Sequence, residues 1–299
     1  MEIRTEVEGR FILSVSKTPD GPKKVLADFK NTITNYGLNR LAAGTNNSPY
    51  CAVGSDSETP TVNTEKFTDL IAFSPRGFDT GVVAQIDQVT YATSNTRSVQ
   101  FAKGAAAGNI TVVGAATASL STSYFLEYAS RILDSEGNPT TITVLPDEYL
   151  TVSHILYLYP NLVDVTGVYE GTAYTIRPAY ITNVDSTHWD PLDGLYLQTS
   201  VLYWHTSPNP LGPITGSPGG GVTFSGSGNT IVASTYIQDT FYRDISLSLS
   251  PAAGNRTIRT VYSSSYYNTL QCEFNPPFEK TADDSFSVVF RYSIARRNV

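Results

Sequence analysis

The consecutive segments Phe11-Ile-Leu-Ser-Val-Ser-Lys17, Thr18-Pro-Asp-Gly-Pro22 and Lys24-Val-Leu-Ala-Asp-Phe-Lys30 decide the fold class. The outer two are apolar runs of strand length. Between them Pro19 presets φ, Asp20 hydrogen-bonds locally and Gly21 accepts a positive φ, so the three read as a β-hairpin. Outward from this hairpin the pattern recurs. Val82–Ala92, Ser98–Lys103, Asn109–Ala116, Thr122–Leu133, Thr140–Leu145 and Tyr149–Tyr159 read as strands. So do Gly167–Ile181, Gly194–Thr206, Val222–Phe224, Thr230–Ile237, Asp244–Leu249, Arg256–Ser263, Gln271–Phe274 and Ser285–Ala295. Closely spaced strands separated by turn residues favour antiparallel sandwiches over alternating β-α-β units.

One segment departs from this pattern. Ile33, Tyr36, Leu38, Arg40 and Leu41 form an imperfect helical face over residues 32–42, with Asn31 or Thr32 as its cap and Gly44 as its end. Gly37 inside it counts against a helix. The expectation is an all-β chain, an antiparallel β-sandwich of jelly-roll-like kind with one short N-terminal helix. It divides into a β-rich subdomain 1–125 carrying the helix and a sandwich subdomain 126–299, unless the two form one composite domain. No fixed-period repeat points to a solenoid or propeller.

Two features point beyond a lone sandwich. In Leu150–Tyr159, Val152, His154, Leu156 and Leu158 alternate with Ile155, Tyr157 and Tyr159, so both faces are largely apolar. Such a strand faces a core on one side and a second layer or subunit on the other. Between Asp193 and Asp239 there is no charged residue, and the centre of that stretch, 207–221, is rich in Pro and Gly. It reads as an excursion or arm ordered against a partner.

Composition narrows the function classes. Charged residues make up 16% of the chain, against about 25% in ordinary soluble proteins, and Ser, Thr, Asn and Gly fill the deficit. This suits strands, tight turns and a surface partly covered by neighbours. The net charge of −7 lacks the basic footprint of a nucleic-acid binder. Arg291, Arg296 and Arg297 cluster near the C-terminus, where they cap a final strand or meet an acidic neighbour. Cys51 and Cys272 are read as two unpaired thiols. The first residues are charged and lack the apolar core of a secretory signal, and Gly104–Leu126 is too polar to span a bilayer. The expectation is a soluble protein without membrane insertion.

No constellation of reactive side chains emerges, so no catalytic, cofactor-binding or metal residue is assigned and no cofactor is expected. His154 and His205 fall in apolar strands and read as core histidines. His188, within Asp185-Ser-Thr-His-Trp-Asp190, has no second His or Cys at metal-ligand spacing. Asp190 and Asp193 lack the acidic density of a calcium loop. Asp283-Asp284 and Asp147-Glu148 read as turn residues, and Gly219-Gly-Gly221 is followed by neither Lys-Ser nor Lys-Thr. Trp204 reads as core. Trp189 and the loop Tyr262-Ser-Ser-Ser-Tyr-Tyr267 are the exposed aromatics a glycan would use, with ordinary surface aromatics as the plainer reading.

Three stretches resemble tailed-bacteriophage virion structural proteins of the tail, tail-fibre or collar type. The first is Lys30-Asn-Thr-Ile-Thr-Asn-Tyr-Gly-Leu-Asn-Arg-Leu41, followed by Tyr50-Cys-Ala-Val-Gly54 and a Thr59-Pro-Thr61 turn. The second, the most specific, runs from Arg131-Ile-Leu-Asp-Ser-Glu-Gly-Asn-Pro139 to Leu145-Pro-Asp-Glu148, then through Leu150–His154, Leu158–Pro160 and Asp164–Gly167. The third is Cys272-Glu-Phe-Asn-Pro-Pro277, Lys280-Thr-Ala-Asp283 and Phe286–Ile294. The 207–221 segment and the Arg-Arg-Asn-Val end depart from the group. The resemblance implies a non-enzymatic virion subunit in the tail, neck or collar, or fibre attachment region. It would be located in the virion and act by assembly with other virion proteins and with copies of itself. The alternative is a receptor-binding tail-fibre protein that recognises a host surface glycan.

Overall fold

A computed structural model describes residues 1–44, 50–74, 78–83, 92–117, 122–160, 163–179, 204–213, 217–223, 229–263 and 269–297. The chain is all-β, with one α-helix among these residues. The expected hairpin is present as β1 (Glu2–Ser16) and β2 (Lys24–Ile33), paired from Gly9↔Asn31 to Val15↔Lys24. Its turn closes when the Gly21 N–H donates to the Thr18 carbonyl at 3.2 Å, so Pro19 and Asp20 are the central residues. Gly21 does not lie in the left-handed region. It stands at the fourth turn position, where a Cβ would collide with the Thr18 hydroxyl.

The helix, α1 (Asn35–Ala42), starts later than the sequence indicates. Thr32 and Ile33 remain in the ladder, opposite Ala129 and Tyr128, and the cap is Thr34, whose Oγ1 accepts from the Gly37 N–H at 2.9 Å. The helix then ends at Ala43, with Gly44 at φ 66°. Gly37 is needed here. A side chain at that position would run into the carbonyl of Glu127, so the helix approaches the sheet only because this residue has none.

After α1 come β3 (Tyr50–Gly54), β4 (Leu70–Phe73), β5 (Phe78–Val83), β6 (Thr93–Gln100), β7 (Gly108–Ile110), β8 (Val112–Thr117), β9 (Phe125–Arg131), β10 (Ile142–Val144) and β11 (Tyr149–Pro160). Then follow β12 (Val165–Tyr169), β13 (Thr172–Ala179), β14 (Trp204–Ser207), β15 (Val222–Thr223), β16 (Asn229–Ala233), β17 (Tyr242–Leu249), β18 (Arg256–Ser263), β19 (Thr269–Lys280) and β20 (Phe286–Arg296). The run 167–181, expected as one strand, contains a reversal. Glu170 and Gly171 both take positive φ (48° and 82°) and turn β12 back along β13, the geometry of a tight primed hairpin.

β1 organises the largest sheet. Along one edge, Thr5–Ser16 pair with β11. The other edge is shared: Gly9–Val15 pair with β2, and Glu2–Val7 run parallel to Arg291–Arg296 of β20. The sheet is therefore mixed, not purely antiparallel, because the first and last strands of the described chain lie side by side. From β20 the sheet continues to β17 and β16, and from β2 to β9, β8, β3 and β4. A six-stranded antiparallel sheet, β12-β13-β19-β18-β14-β15, lies opposite β17 and β20.

Between these layers Trp204 stacks on Phe290 at 5.2 Å, and Phe274 meets Phe286 edge-on. Each large apolar side chain enclosed there contributes about 1.5–3 kcal/mol relative to exposure. A second cluster gathers Phe11, Leu13, Phe29, Leu41, Val113, Tyr128, Leu150 and Leu156. Residue 125 opens β9, which pairs with β2 and β8, so the chain on either side of that point shares one core.

The 207–221 excursion is held, where described, by the chain's own sheet. The buried Gln271 amide receives the Gly212 N–H at 2.6 Å and donates to the Pro213 carbonyl at 3.0 Å. Thr260 Oγ1 donates to the Asn209 carbonyl at 2.7 Å, and Arg177 to that of Gly212 at 3.0 Å. At these points the sheet's own side chains satisfy the arm's backbone groups.

Candidate functional site

A cleft of about 500 Å³ opens beside α1. It is built from three segments distant in sequence: the exposed flank of α1, residues 62–65 and the turn at 236–239. Asn39 joins the first to the third. Its Nδ2 donates to Asp239 Oδ1 at 2.7 Å, while its Oδ1 accepts from the Asp239 N–H at 2.7 Å and from the Tyr236 hydroxyl. Asn35 joins the first to the second, donating to Asn63 Oδ1 at 2.8 Å, and its backbone N–H reaches the Val62 carbonyl at 2.6 Å.

Three arginines brace this arrangement, Arg40 from the wall and Arg296 and Arg243 from behind it. Arg40 Nε lies 3.1 Å from Oε1 of Glu127, which is fully enclosed. Arg296 donates to the Ile33 carbonyl and to Asn35 Oδ1, each at 2.6 Å. Arg243 donates to the Ser234 carbonyl at 2.9 Å and spans to that of Ala43. The turn carries backbone strain as well. Asp239 and Phe241 have φ of 65° and 55°, and the left-handed region is unfavourable for a bulky residue such as Phe. The Tyr236 hydroxyl accepts the Phe241 N–H at 3.4 Å, one of the bonds holding the turn in that form.

Among the described residues, those weighed as site candidates in the sequence lie elsewhere, apart from Arg296. His154 is enclosed in β11 between Phe11 and Tyr128, at ring distances of 5.0 and 4.2 Å. Burial, aided by Arg97, pushes its pKa down to about 3, and Nε2 has no hydrogen-bond partner among the described residues. It is a core histidine, though not the hydrogen-bonded one usual in such positions. His205 stacks on Tyr262 at 4.8 Å, and Trp204 is fully buried.

Asp284 accepts from Thr281 Oγ1 and Glu148 from the Leu145 N–H, each within its turn, while Asp147 and Glu148 also meet Lys17. Gly219 gives its carbonyl to Ser207 Oγ. Cys51 and Cys272 are buried and unpaired, and burial raises both thiols. Arg291 meets Asp244 at 2.9 Å, while Arg297 lies over the Tyr159 ring at 3.7 Å. Asp185, His188, Trp189, Asp190, Asp193, Tyr266 and Tyr267 lie outside the described residues. Within them, no three His, Cys, Asp or Glu side chains converge on a metal-sized site, and no helix is long and apolar enough to cross a membrane. Of the cleft residues the sequence marks only Tyr36 and Arg40, and those as part of a helical face rather than a site, because Asn, Gln and Tyr scattered over 200 positions carry no spacing signal.

Two sheet edges complete the picture. β16 and β12 are outermost strands, and no described strand pairs with their outer edges. Neither contains a charged residue or a proline, and Val232 and Val168 are 56% and 71% exposed. Comparison with protein-family models, curated proteins and solved structures gives no match for this chain.

Proposed function

We propose that the chain is a non-enzymatic structural subunit of a bacteriophage virion, in the tail, neck or collar, or fibre attachment region. In this reading it works by assembling with copies of itself and with other virion proteins. The observation that carries the assembly reading is the pair of uncharged outer strands. Soluble proteins ordinarily blunt such edges with Lys, Pro or bulges, because a free row of N–H and C=O groups templates pairing with another chain. Within the described residues β12 and β16 carry none of these protections and present exposed valines on an edge that no described strand covers, which suits strand addition by a neighbour. The low charge of the chain and the three resembling stretches support the virion assignment.

Light scattering over a range of concentrations tests the assembly reading. A stable oligomer is expected, reduced to monomer by Val168→Lys or Val232→Lys with the melting temperature of the fold retained. A persistent monomer, or an oligomer indifferent to both changes, overturns it. Deleting the gene from a phage that carries it tests the virion assignment, since incomplete particles are expected and intact infectious particles would refute it.

A further inference from the structure

We propose that the cleft beside α1 is a binding site for a neutral saccharide. The site is preformed. Two hydrogen-bonded joints, Asn39 to Asp239 and Asn35 to Asn63, fix its walls before any ligand arrives. The turn that makes one wall holds two non-glycine residues in left-handed backbone conformation. Strain of this kind costs about 1–3 kcal/mol per residue and persists only where surrounding bonds enforce it. A cleft of about 500 Å³ is within the range that encloses a small ligand.

The chemistry of the lining selects the ligand class. Among the described residues, the one cationic side chain on the wall, Arg40, is tied to the buried carboxylate of Glu127. Arg296, behind it, is committed to Ile33 and Asn35. Glu65 and Asp239 stand on the rim, so a phosphate or carboxylate would meet negative charge without a cation to offset it. What remains is neutral amide, hydroxyl and carboxylate chemistry from Asn63, Thr64, Gln238 and those two acids. The amides and the Thr64 hydroxyl both donate to and accept from sugar hydroxyls, and the two carboxylates accept from them. Tyr36 adds a flat apolar surface, its ring fixed by stacking on Phe125 at 5.0 Å. An aromatic plane bordered by amides and carboxylates matches a sugar ring, with an apolar C–H face and a polar rim. An extended peptide is matched less well, since these are side-chain groups rather than a strand edge. The proposal is independent of the assembly reading, because β12 and β16 do not line the cleft.

The test is calorimetric titration of the full chain with neutral oligosaccharides built from glucose, galactose, mannose and N-acetylhexosamines. Uronic-acid oligomers of equal length are the comparison. Saturable binding of at least one neutral oligosaccharide is expected, weakened about tenfold or more by Tyr36→Ala and by Gln238→Ala. Gln238 is exposed, so its substitution leaves folding intact even if the Tyr36 variant proves unstable. Absence of binding across the neutral panel at about 10 mM, which corresponds to less than about 3 kcal/mol, overturns the proposal. So does tighter binding of the acidic oligomers, or binding that Gln238→Ala leaves unchanged.

Discussion

Arg40 on the helix and Glu127 on strand β9 form an ion pair of 3.1 Å, in which the carboxylate has no exposed surface while the arginine side chain remains 31% exposed. The pair sits where α1 crosses the sheet, at the contact that Gly37 makes close enough to exist. Removing one partner takes a counter-charge from a buried carboxylate, a loss of up to about 3–5 kcal/mol for pairs of this kind, whereas removing both is far milder. Arg40→Met is therefore expected to lower stability in urea unfolding by that order. Arg40→Met combined with Glu127→Leu is expected to recover most of the loss. Equal losses in the single and double variants would show that the pair does not act as a unit.

His154 makes stability pH-dependent in a defined window. Its pKa falls from an ordinary 6.5 to about 3 in the folded chain, so between these values the unfolded state binds a proton that the folded state does not. Stability is then complete above about pH 6.5 and declines as pH falls, by up to about 1.4 kcal/mol per pH unit, until the folded-state pKa is reached. His154→Leu removes this contribution. The stability difference between wild type and variant, followed from pH 7 to pH 4, is expected to change steadily in favour of the variant. A difference independent of pH would mean that the imidazole is not buried neutral.

Gln271 fixes the arm by bonding both polar ends of its amide to the Gly212 and Pro213 backbone. Gln271→Ala leaves those backbone groups unsatisfied, a loss of about 1–3 kcal/mol confined to the arm. Limited proteolysis within residues 207–221 is expected to accelerate about tenfold or more, with the unfolding midpoint little changed. An unaltered cleavage rate would assign the anchoring to Thr260 and Arg177 instead.

Local signals in the sequence carried the all-β class, the first hairpin and the existence of the helix. The hairpin was legible because Pro19 and Asp20 settle its turn without help from the rest of the chain. The helix start was displaced because Thr32 and Ile33 satisfy a helical pattern and a strand pattern equally well, and pairing with β9 decides between them. The β12–β13 reversal was hidden because Glu170 is not a usual turn residue, and only the hairpin ladder holds it at positive φ. The arm at 207–221 looked unpartnered because its partners, Thr260 and Gln271, lie about fifty residues further on.

What the sequence by itself determined is thus the all-β class, the first hairpin and the existence of one helix, together with the low charge of the chain. Alternation and turn chemistry act between near neighbours, so they are written locally. Which strands meet was decided only in the tertiary structure. The parallel pairing of β1 with β20 joins residues almost 290 positions apart, and the cleft brings α1 against a turn 200 residues away. Any apolar strand of suitable length fits the local pattern, and the choice among them rests on the packing of the whole core, which no single segment encodes.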